Sequence, residues 1–244
     1  MMLEELKERW WRRVLDHGLQ GEKVSVVARP LRPKEAIGAP LRDDYPILKG
    51  REVMIQAELG RGIGQAFTDE PSDFVGSLGT VKEMALLNNR SRALLVATIN
   101  ATYNRLGLVA GVRHCRDAGP EVCGESIAAE LARRYDPDSK IVMLGYQPAI
   151  AHHLSNRFKN FRVTDMDPGN VGALGRPVEI EPYVNNSAAV KWSDVVLATG
   201  SSLVNGTIDE IVRQSDGKTL IFFGVTVAAA AYEFGFERLC YSST

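Results

Sequence analysis

The chain has 244 residues, of which 45% are hydrophobic and 24% are charged. Its 29 Lys and Arg residues nearly balance 30 Asp and Glu residues, which leaves a formal charge of −1. This balance is typical of a folded globular protein, excludes a mainly disordered chain, and gives no electrostatic support to nucleic-acid binding.

The first half of the chain is predicted to mix helices with antiparallel strands. Apolar residues at three- and four-residue steps predict a helix from Leu3 to Leu15, which Gly18 ends. A strand is predicted over 23–29, and residues 35–50 are predicted to form a loop. Strict alternation from Glu52 to Leu59 predicts a half-buried strand in an antiparallel sheet.

A glycine-rich segment, Gly60–Thr68, follows that strand. It lacks the Lys-Ser/Thr ending and the third spaced glycine of phosphate-binding loops, so we interpret it as a wide turn or a flexible hairpin. Helices are predicted over 80–88 and 91–106. The second of these carries Asn100 and Asn104 four residues apart, and therefore on the same face.

The second half alternates short strands rich in Val, Ile and Leu with helices, which indicates a doubly wound parallel sheet with right-handed crossovers. A polar stretch ending in Gly119-Pro120 separates the mixed pattern of the first half from the alternating pattern of the second. We therefore predict a domain boundary between residues 110 and 122. The predicted domains are an α+β domain over 1–115 and an α/β domain over 116–244. Strands are predicted at 140–144, 161–164, 178–181, 194–198, 219–223 and 238–241, and helices at 121–135, 148–158, 207–213 and 225–234.

Four loops of this predicted sheet are expected to share one edge, because ligands bind at the carboxyl ends of parallel strands where the strand order reverses. These loops span 145–148, 165–170, 199–207 and 224–226. The third combines Gly, Ser, Asn and Thr in front of a helix, which suits an anion, a carboxylate or a carbonyl oxygen. Alternatively, Asn205 or Thr207 only caps that helix.

Asp165 follows Gly145 by twenty residues, where nucleotide-binding sheets place an acidic side chain for ribose hydroxyls. The glycine fingerprint is incomplete, which disfavours a dinucleotide but leaves S-adenosylmethionine as a candidate. The alternative is a plain strand-end turn, because Asp-Pro-Gly-Asn over 167–170 is strong turn chemistry.

Metal chemistry has little support from residue spacing. His114 and Cys115 are adjacent and Cys123 follows eight residues later, but CxxC and HxxxH patterns are absent from the sequence. His152 and His153 are helix neighbours that point apart. We therefore predict no structural zinc centre and assign no metal ligands.

The cellular setting is predicted from what the sequence lacks. The longest apolar run, Val225–Tyr232, has eight residues and contains Thr226, so it is well short of the roughly 20 that a membrane helix needs. The acidic N-terminus does not look like a signal peptide, and three cysteines are too few for a disulfide scaffold. We expect a cytoplasmic protein with neither nucleic-acid nor membrane partners.

The two halves together resemble the putative heavy-metal chelation family, whose members have no settled reaction. The strings that carry the resemblance are Gly64–Thr68, Ile99–Ala101, Gly145–Pro148, Asp165–Pro168 and, most specifically, Thr199–Thr207. Where the family pattern has Gly-Pro-Ser after the fourth strand, this chain has Gly224-Val225-Thr226. The resemblance implies an N-terminal domain similar to the small α+β domain of enolases, a Rossmann-like C-terminal domain, and a site between them.

The expected function is to bind or process a small organic ligand, which could chelate a metal, in the interdomain cleft. The alternatives are an enzyme that uses an adenosyl cofactor and a non-enzymatic heavy-metal carrier. Asn100 is expected either to reach the cleft or to bond within its own domain, and Trp10 and Trp11 either pack in the core or bury in a homo-oligomer. The expected ligand contacts are Arg61, Thr68, Asn100, Gly145, Tyr146, Asp165, Asp167, Gly200, Ser201, Ser202, Asn205, Thr207 and Thr226.

Overall fold

The computed structural model describes residues 1–27, 33–49, 52–173 and 175–244, which form two β-sheets with helices packed on them. The first sheet is antiparallel, has four strands, and belongs to the first half of the chain. The second is parallel, has six strands, and belongs to the second half. The predicted fold class, an α+β part followed by a parallel α/β part, is confirmed.

The N-terminal sheet has the strand order β3-β2-β1-β4, and every described pairing in it is antiparallel. The predicted strand at 52–59 forms β2 and the predicted first helix forms α1. The elements are α1 (Met2–Asp16), β1 (Lys23–Val27), α2 (Pro33–Ala36), a 3-10 helix (Pro46–Lys49), β2 (Val53–Leu59), β3 (Gly62–Thr68), β4 (Phe74–Ser77), α3 (Leu78–Glu83) and α4 (Asn89–Arg105).

Of the two interpretations of the glycine-rich segment, the structure shows the hairpin and not the wide turn, and the segment itself is an edge strand. It forms β3, in register with β2 from Val53 opposite Thr68 to Leu59 opposite Gly62. A Cβ on Gly64 would lie 2.2 Å from the backbone nitrogen of Ala101, and one on Gly62 would lie 2.3 Å from its carbonyl oxygen. The glycines therefore let helix α4 lie directly against the strand.

The C-terminal sheet has the strand order β10-β9-β8-β5-β6-β7, and its described pairings are parallel. From β5 the chain adds β6 and β7 on one side. It then crosses to the other side of β5 and adds β8, β9 and β10, so the strand order reverses between β5 and β8. The elements are α5 (Gly119–Arg134), β5 (Lys140–Leu144), α6 (Pro148–Ser155), β6 (Asn160–Asp165), β7 (Ile180–Pro182), a 3-10 helix (Tyr183–Asn185), α7 (Asn186–Trp192), β8 (Val195–Thr199), α8 (Ser202–Asn205), α9 (Ile208–Gln214), β9 (Thr219–Phe223), α10 (Ala228–Phe234) and β10 (Glu237–Leu239).

A few predicted elements differ from the structure. The predicted loop over 35–50 holds the end of α2 and a 3-10 helix, and β4, α7 and α8 were not predicted. These missed elements have four to seven residues each, too few for a periodic pattern to stand out. The last two residues of the strand predicted over 23–29 lie outside the described residues.

The two halves share their largest apolar core. It joins residues of α1, β2 and α4 to residues of β5, β8 and α10. The polar stretch predicted as a linker is bonded to both halves: Gln65 donates its backbone N–H to the carbonyl of Val112, and Arg113 exchanges two backbone hydrogen bonds with Thr244. The boundary at 115/116 stays a prediction.

Asn100 is the polar centre of this contact between the halves. Its side chain is 1% exposed. Its amide nitrogen donates to the carbonyls of Gln65, Val225 and Thr226 at 3.0, 3.3 and 3.2 Å, and its amide oxygen accepts from the N–H of Ala229 at 3.0 Å. The side chain thus bonds to both halves at once.

Trp10 belongs to the core of its own chain, which was one of its two predicted alternatives. It is 0% exposed, and its indole N–H donates to the hydroxyl of Thr102 at 3.0 Å. Trp11 beside it is only half-buried, with ring centroids 5.8 Å apart. The indole hydrogen bond fixes α1 on α4.

We predict that Gly64→Ala destabilises the protein by about 3 kcal/mol or more, because the new Cβ would collide with helix backbone that cannot move aside. Urea unfolding followed by circular dichroism measures the change. Gly79→Ala is the matched control, since its Cβ has no neighbour closer than 3.5 Å and α3 gains a better helix former. Equal stability of the two variants would contradict the close strand–helix contact.

We predict that Asn100→Ala lowers the free energy of unfolding by about 3 kcal/mol, because it leaves buried carbonyls and an N–H without a partner. Asn104→Ala is the control: its half-buried amide bonds only to Ile63 and Val109 among the described residues, so about 1 kcal/mol is expected. Chemical denaturation of both variants tests the difference, and a loss of under 1 kcal/mol at Asn100 would refute the central role.

Candidate functional site

A cavity of about 500 Å³ lies at the point where the parallel strand order reverses. All four predicted loops reach it, and residues of the N-terminal half cover it. Eleven of the expected contacts line it: Thr68, Gly145, Tyr146, Asp165, Asp167, Gly200, Ser201, Ser202, Asn205, Thr207 and Thr226. That these residues bind a ligand stays a prediction.

The other two expected contacts lie elsewhere. Arg61 is exposed in the turn between β2 and β3, outside the cavity lining. Asn100 is buried behind the lining, where it holds the backbone of Val225 and Thr226. It can therefore position the fourth loop, while its own amide is saturated with protein partners.

Glycine brings the loops after β5 and β8 into contact. Gly145 has a φ of +91°, and its N–H donates to the carbonyl of Thr164 at 2.9 Å. A Cβ at this position would lie 2.5 Å from the methyl carbon of Thr199 on the neighbouring strand. Both the backbone angle and the space therefore require glycine here.

Asp165 ties two of the loops together. Its carboxylate accepts the backbone N–H of Tyr146 at 2.5 Å and that of Asp167 at 2.7 Å, and the amide of Asn170 lies 3.4 Å away. Burial raises its pKa, and these hydrogen bonds oppose the rise. The carboxylate of Asp165 therefore stabilises a strand-end turn, which the sequence analysis gave as the alternative to ribose binding.

In the loop after β8, most of the polar side chains bond within the loop, and one hydroxyl keeps most of its hydrogen-bonding capacity. Asn205 accepts hydrogen bonds from the backbone N–H of Thr207 at 3.1 Å and from its hydroxyl at 2.7 Å, so it stabilises the start of α9. The hydroxyl of Ser202 donates to the carbonyl of Thr199 at 2.8 Å. The hydroxyl of Ser201 has one long contact, 3.4 Å from that of Thr199, and therefore keeps most of its hydrogen-bonding capacity.

The N-terminal half covers the cavity through β3 and its neighbours. The N–H of Phe67 donates to the hydroxyl of Thr226 at 3.1 Å. Thr68 is 4% exposed, and its hydroxyl accepts the N–H of Glu70. A threonine hydroxyl thus makes the contact between the fourth loop and β3.

An arginine holds one wall of the cavity in place. Arg176 lies over the ring of Tyr146, 4.9 Å from its centroid, and also pairs with Asp44 at 3.0 Å. Its second terminal nitrogen lies 3.4 Å from the amide oxygen of Asn170. This side chain, only 9% exposed, therefore links the loop after β6 to the N-terminal half.

Glu52 lines the cavity and was missed by the sequence analysis, which placed it on the polar face of a half-buried strand. Its carboxyl makes no hydrogen bond or ion pair within the described part of the chain. Burial, and then the charges of Asp165, Asp167 and Asp69, raise its pKa to about 7. Near neutral pH this group can therefore give or take a proton.

His114 also lines the cavity and was considered only as a metal ligand. Burial lowers its pKa to about 4, so the ring is neutral near pH 7. Its ring packs edge-on against Phe67 at 5.4 Å, and its Nδ1 is buried without a partner among the described residues. Because this nitrogen is enclosed by protein, His114 contributes to the shape of the cavity wall and its Nδ1 is not open to the cavity.

The three cysteines, far apart in sequence, come together outside this cavity. The thiol of Cys123 is within hydrogen-bonding reach of those of Cys115 and Cys240, and all three are free. Contact with Cys123, followed by burial, raises the pKa of Cys240. Within residues 1–27, 33–49, 52–173 and 175–244, the structure places no three His, Cys, Asp or Glu side chains in an arrangement that could hold a metal ion.

We predict that Glu52→Gln removes a pH dependence from stability. A raised pKa means that folding favours the protonated acid, so this contribution is complete below pH 4.5 and is lost as the pH rises toward 7. The parent should lose about 2–3 kcal/mol relative to the Gln variant between pH 5 and pH 8. Urea unfolding at both pH values measures the difference, and parallel profiles would contradict the raised pKa.

The C-terminal half of the chain is similar to a known protein family. Residues 128–239 match a family model described as "Putative heavy-metal chelation", which confirms the resemblance. No curated protein matches the chain. The described residues contain no helix with the length and apolar character to cross a membrane.

Two crystal structures of proteins with unknown function from the same family have a similar fold. The one from Pyrococcus horikoshii is 16% identical, with a TM-score of 0.53 over 93% of this chain and 79% of its own. The one from Desulfitobacterium hafniense is also 16% identical, with a TM-score of 0.50 over 75% of this chain and 73% of its own. At this identity the likeness concerns the fold, including its N-terminal part.

Proposed function

We propose that this chain binds a small organic molecule able to chelate a metal, in the cavity between the parallel sheet and the N-terminal half. One observation carries the proposal: all four strand-end loops and the N-terminal cover line the same 500 Å³ space. That volume lies within the range of small-molecule sites, and its place is where parallel sheets bind ligands.

The chemistry of the lining supports an organic ligand with several oxygen or nitrogen atoms. Ser201 offers a hydroxyl with little internal bonding. Asn89 and Asn186 add amides, while Phe67 and other apolar residues provide contact area. Atoms that chelate metals are also good hydrogen-bonding partners for such groups, in keeping with the description of the matching family.

An adenosyl cofactor depends on Asp165 meeting ribose hydroxyls. Because that carboxylate already holds two backbone N–H groups, its geometry supports the turn as its main role. S-adenosylmethionine therefore belongs in the ligand screen as one candidate among several.

Native mass spectrometry of gently purified, untagged protein tests the proposal. We expect a chain that carries a non-covalent adduct of small-molecule mass, which is lost on mild denaturation. Thermal shift assays with S-adenosylmethionine, S-adenosylhomocysteine, NAD, ATP and a series of synthetic chelators, each with and without Zn²⁺, form the second arm. A bare chain that none of these probes stabilises would refute the proposal.

We predict that Ser201→Ala weakens binding by about 1–2 kcal/mol, because its hydroxyl faces the cavity and has few internal partners. The fold should be unaffected, as circular dichroism can verify. The fraction of chains that keep the adduct in a native mass spectrum measures the loss. Ser187→Ala, exposed on α7, is the control and should retain the adduct like the parent.

A further inference from the structure

Four carboxylates line the cavity, and three of them are already engaged by the protein. Asp165 accepts two backbone N–H groups, Asp167 accepts the N–H of Gly169 at 2.8 Å, and Asp69 accepts from the amide of Asn89 at 2.8 Å. Glu52 is the fourth, and within the described residues it has no hydrogen bond or ion pair. The protein therefore brings the half-buried carboxyl of Glu52 close to three other acids without supplying a described partner.

We propose that the ligand presents a positively charged organic group with N–H donors, such as an ammonium, to Glu52. This inference rests on the proposed function and names the chemical class that the site selects. A cation beside Glu52 would be attracted by four carboxylates in a partly buried space, where charges interact more strongly than in water. A neutral or anionic group in the same place would gain no such attraction.

The described residues favour an organic cation over a bare metal ion, since Glu52 is the only one of the four carboxylates without a described partner. A bare metal ion would instead need several ligands close together, and the described His, Cys, Asp and Glu residues include no such group of three. The cation is therefore carried by an organic molecule.

Binding should be coupled to proton release. Glu52 is partly protonated near pH 7, and the acids that face it are Asp69 beyond β3, and Asp165 and Asp167 at the end of β6. When the cation binds, the Glu52 carboxyl loses its proton to solvent and becomes the carboxylate that pairs with the ligand. With a pKa near 7, affinity should fall about tenfold between pH 8 and pH 6.

The test uses matched probes that differ in charge. The intact protein is titrated by calorimetry with 1,4-diaminobutane and 1,4-butanediol, with 1-aminobutane and 1-butanol, and with ZnCl₂ alone. We expect at least one cationic member to bind at least tenfold more tightly than its neutral partner at pH 8, and about tenfold more weakly at pH 6. Glu52→Gln should remove both the charge preference and the pH dependence.

Glu58→Gln is the matched control on the same strand. Glu58 is exposed, hydrogen-bonded to Gln56 and outside the cavity lining, so its variant should keep the preference and the pH dependence. If Glu52→Gln binds the cation as tightly as the parent, or if the neutral partners bind equally well, the inference is wrong. Tight binding of ZnCl₂ alone would also overturn it.

Native mass spectrometry separates failure of this inference from failure of the proposed function. A co-purified organic molecule that is neutral or anionic would overturn the cationic class and still support ligand binding in the cavity. A co-purified ammonium compound that is lost from Glu52→Gln, but kept by Glu58→Gln, would support both. No adduct and no binding of any probe would overturn both.

Discussion

The amide of Asn100 is the constraint on which the arrangement of the two halves depends. A single side chain satisfies backbone groups of β3 on one side, and of the loop and helix after β9 on the other. Because an unpaired buried amide is costly, these groups are satisfied together only when the halves are in their observed register. The position of the cavity cover relative to the strand-end loops follows from this bond set.

The floor of the cavity and its polar cover come from different halves of the chain. The parallel sheet fixes the floor through close contacts such as Gly145 against Thr199. The N-terminal half contributes Glu52, whose carboxyl has no hydrogen bond or ion pair within the described residues, and His114, whose ring packs against Phe67. Under the proposed function, the floor would supply rigidity and the cover would supply groups that meet the ligand.

The sheet edge could be predicted from sequence because parallel strands have a regular pattern and their ends must meet. Every strand of the second half was predicted close to its position, and the four loops followed from topology. Glu52 and His114 could not be found in this way, because their role depends on how the N-terminal half docks. The hairpin of β2 and β3 was one of two interpretations of the glycine-rich segment, but the reason for its glycines was missed, because the backbone of α4 that they contact lies over thirty residues away.

The apolar core that continues from one half into the other has a consequence for how the molecule takes up heat. Residues of α4 and of β5 and β8 belong to one cluster, so melting either sheet alone would expose the inner face of the other. A single endotherm with equal calorimetric and van't Hoff enthalpies is the thermodynamic signature of such a shared core. The shared core therefore predicts that the two sheets, although they differ in strand direction, unfold together.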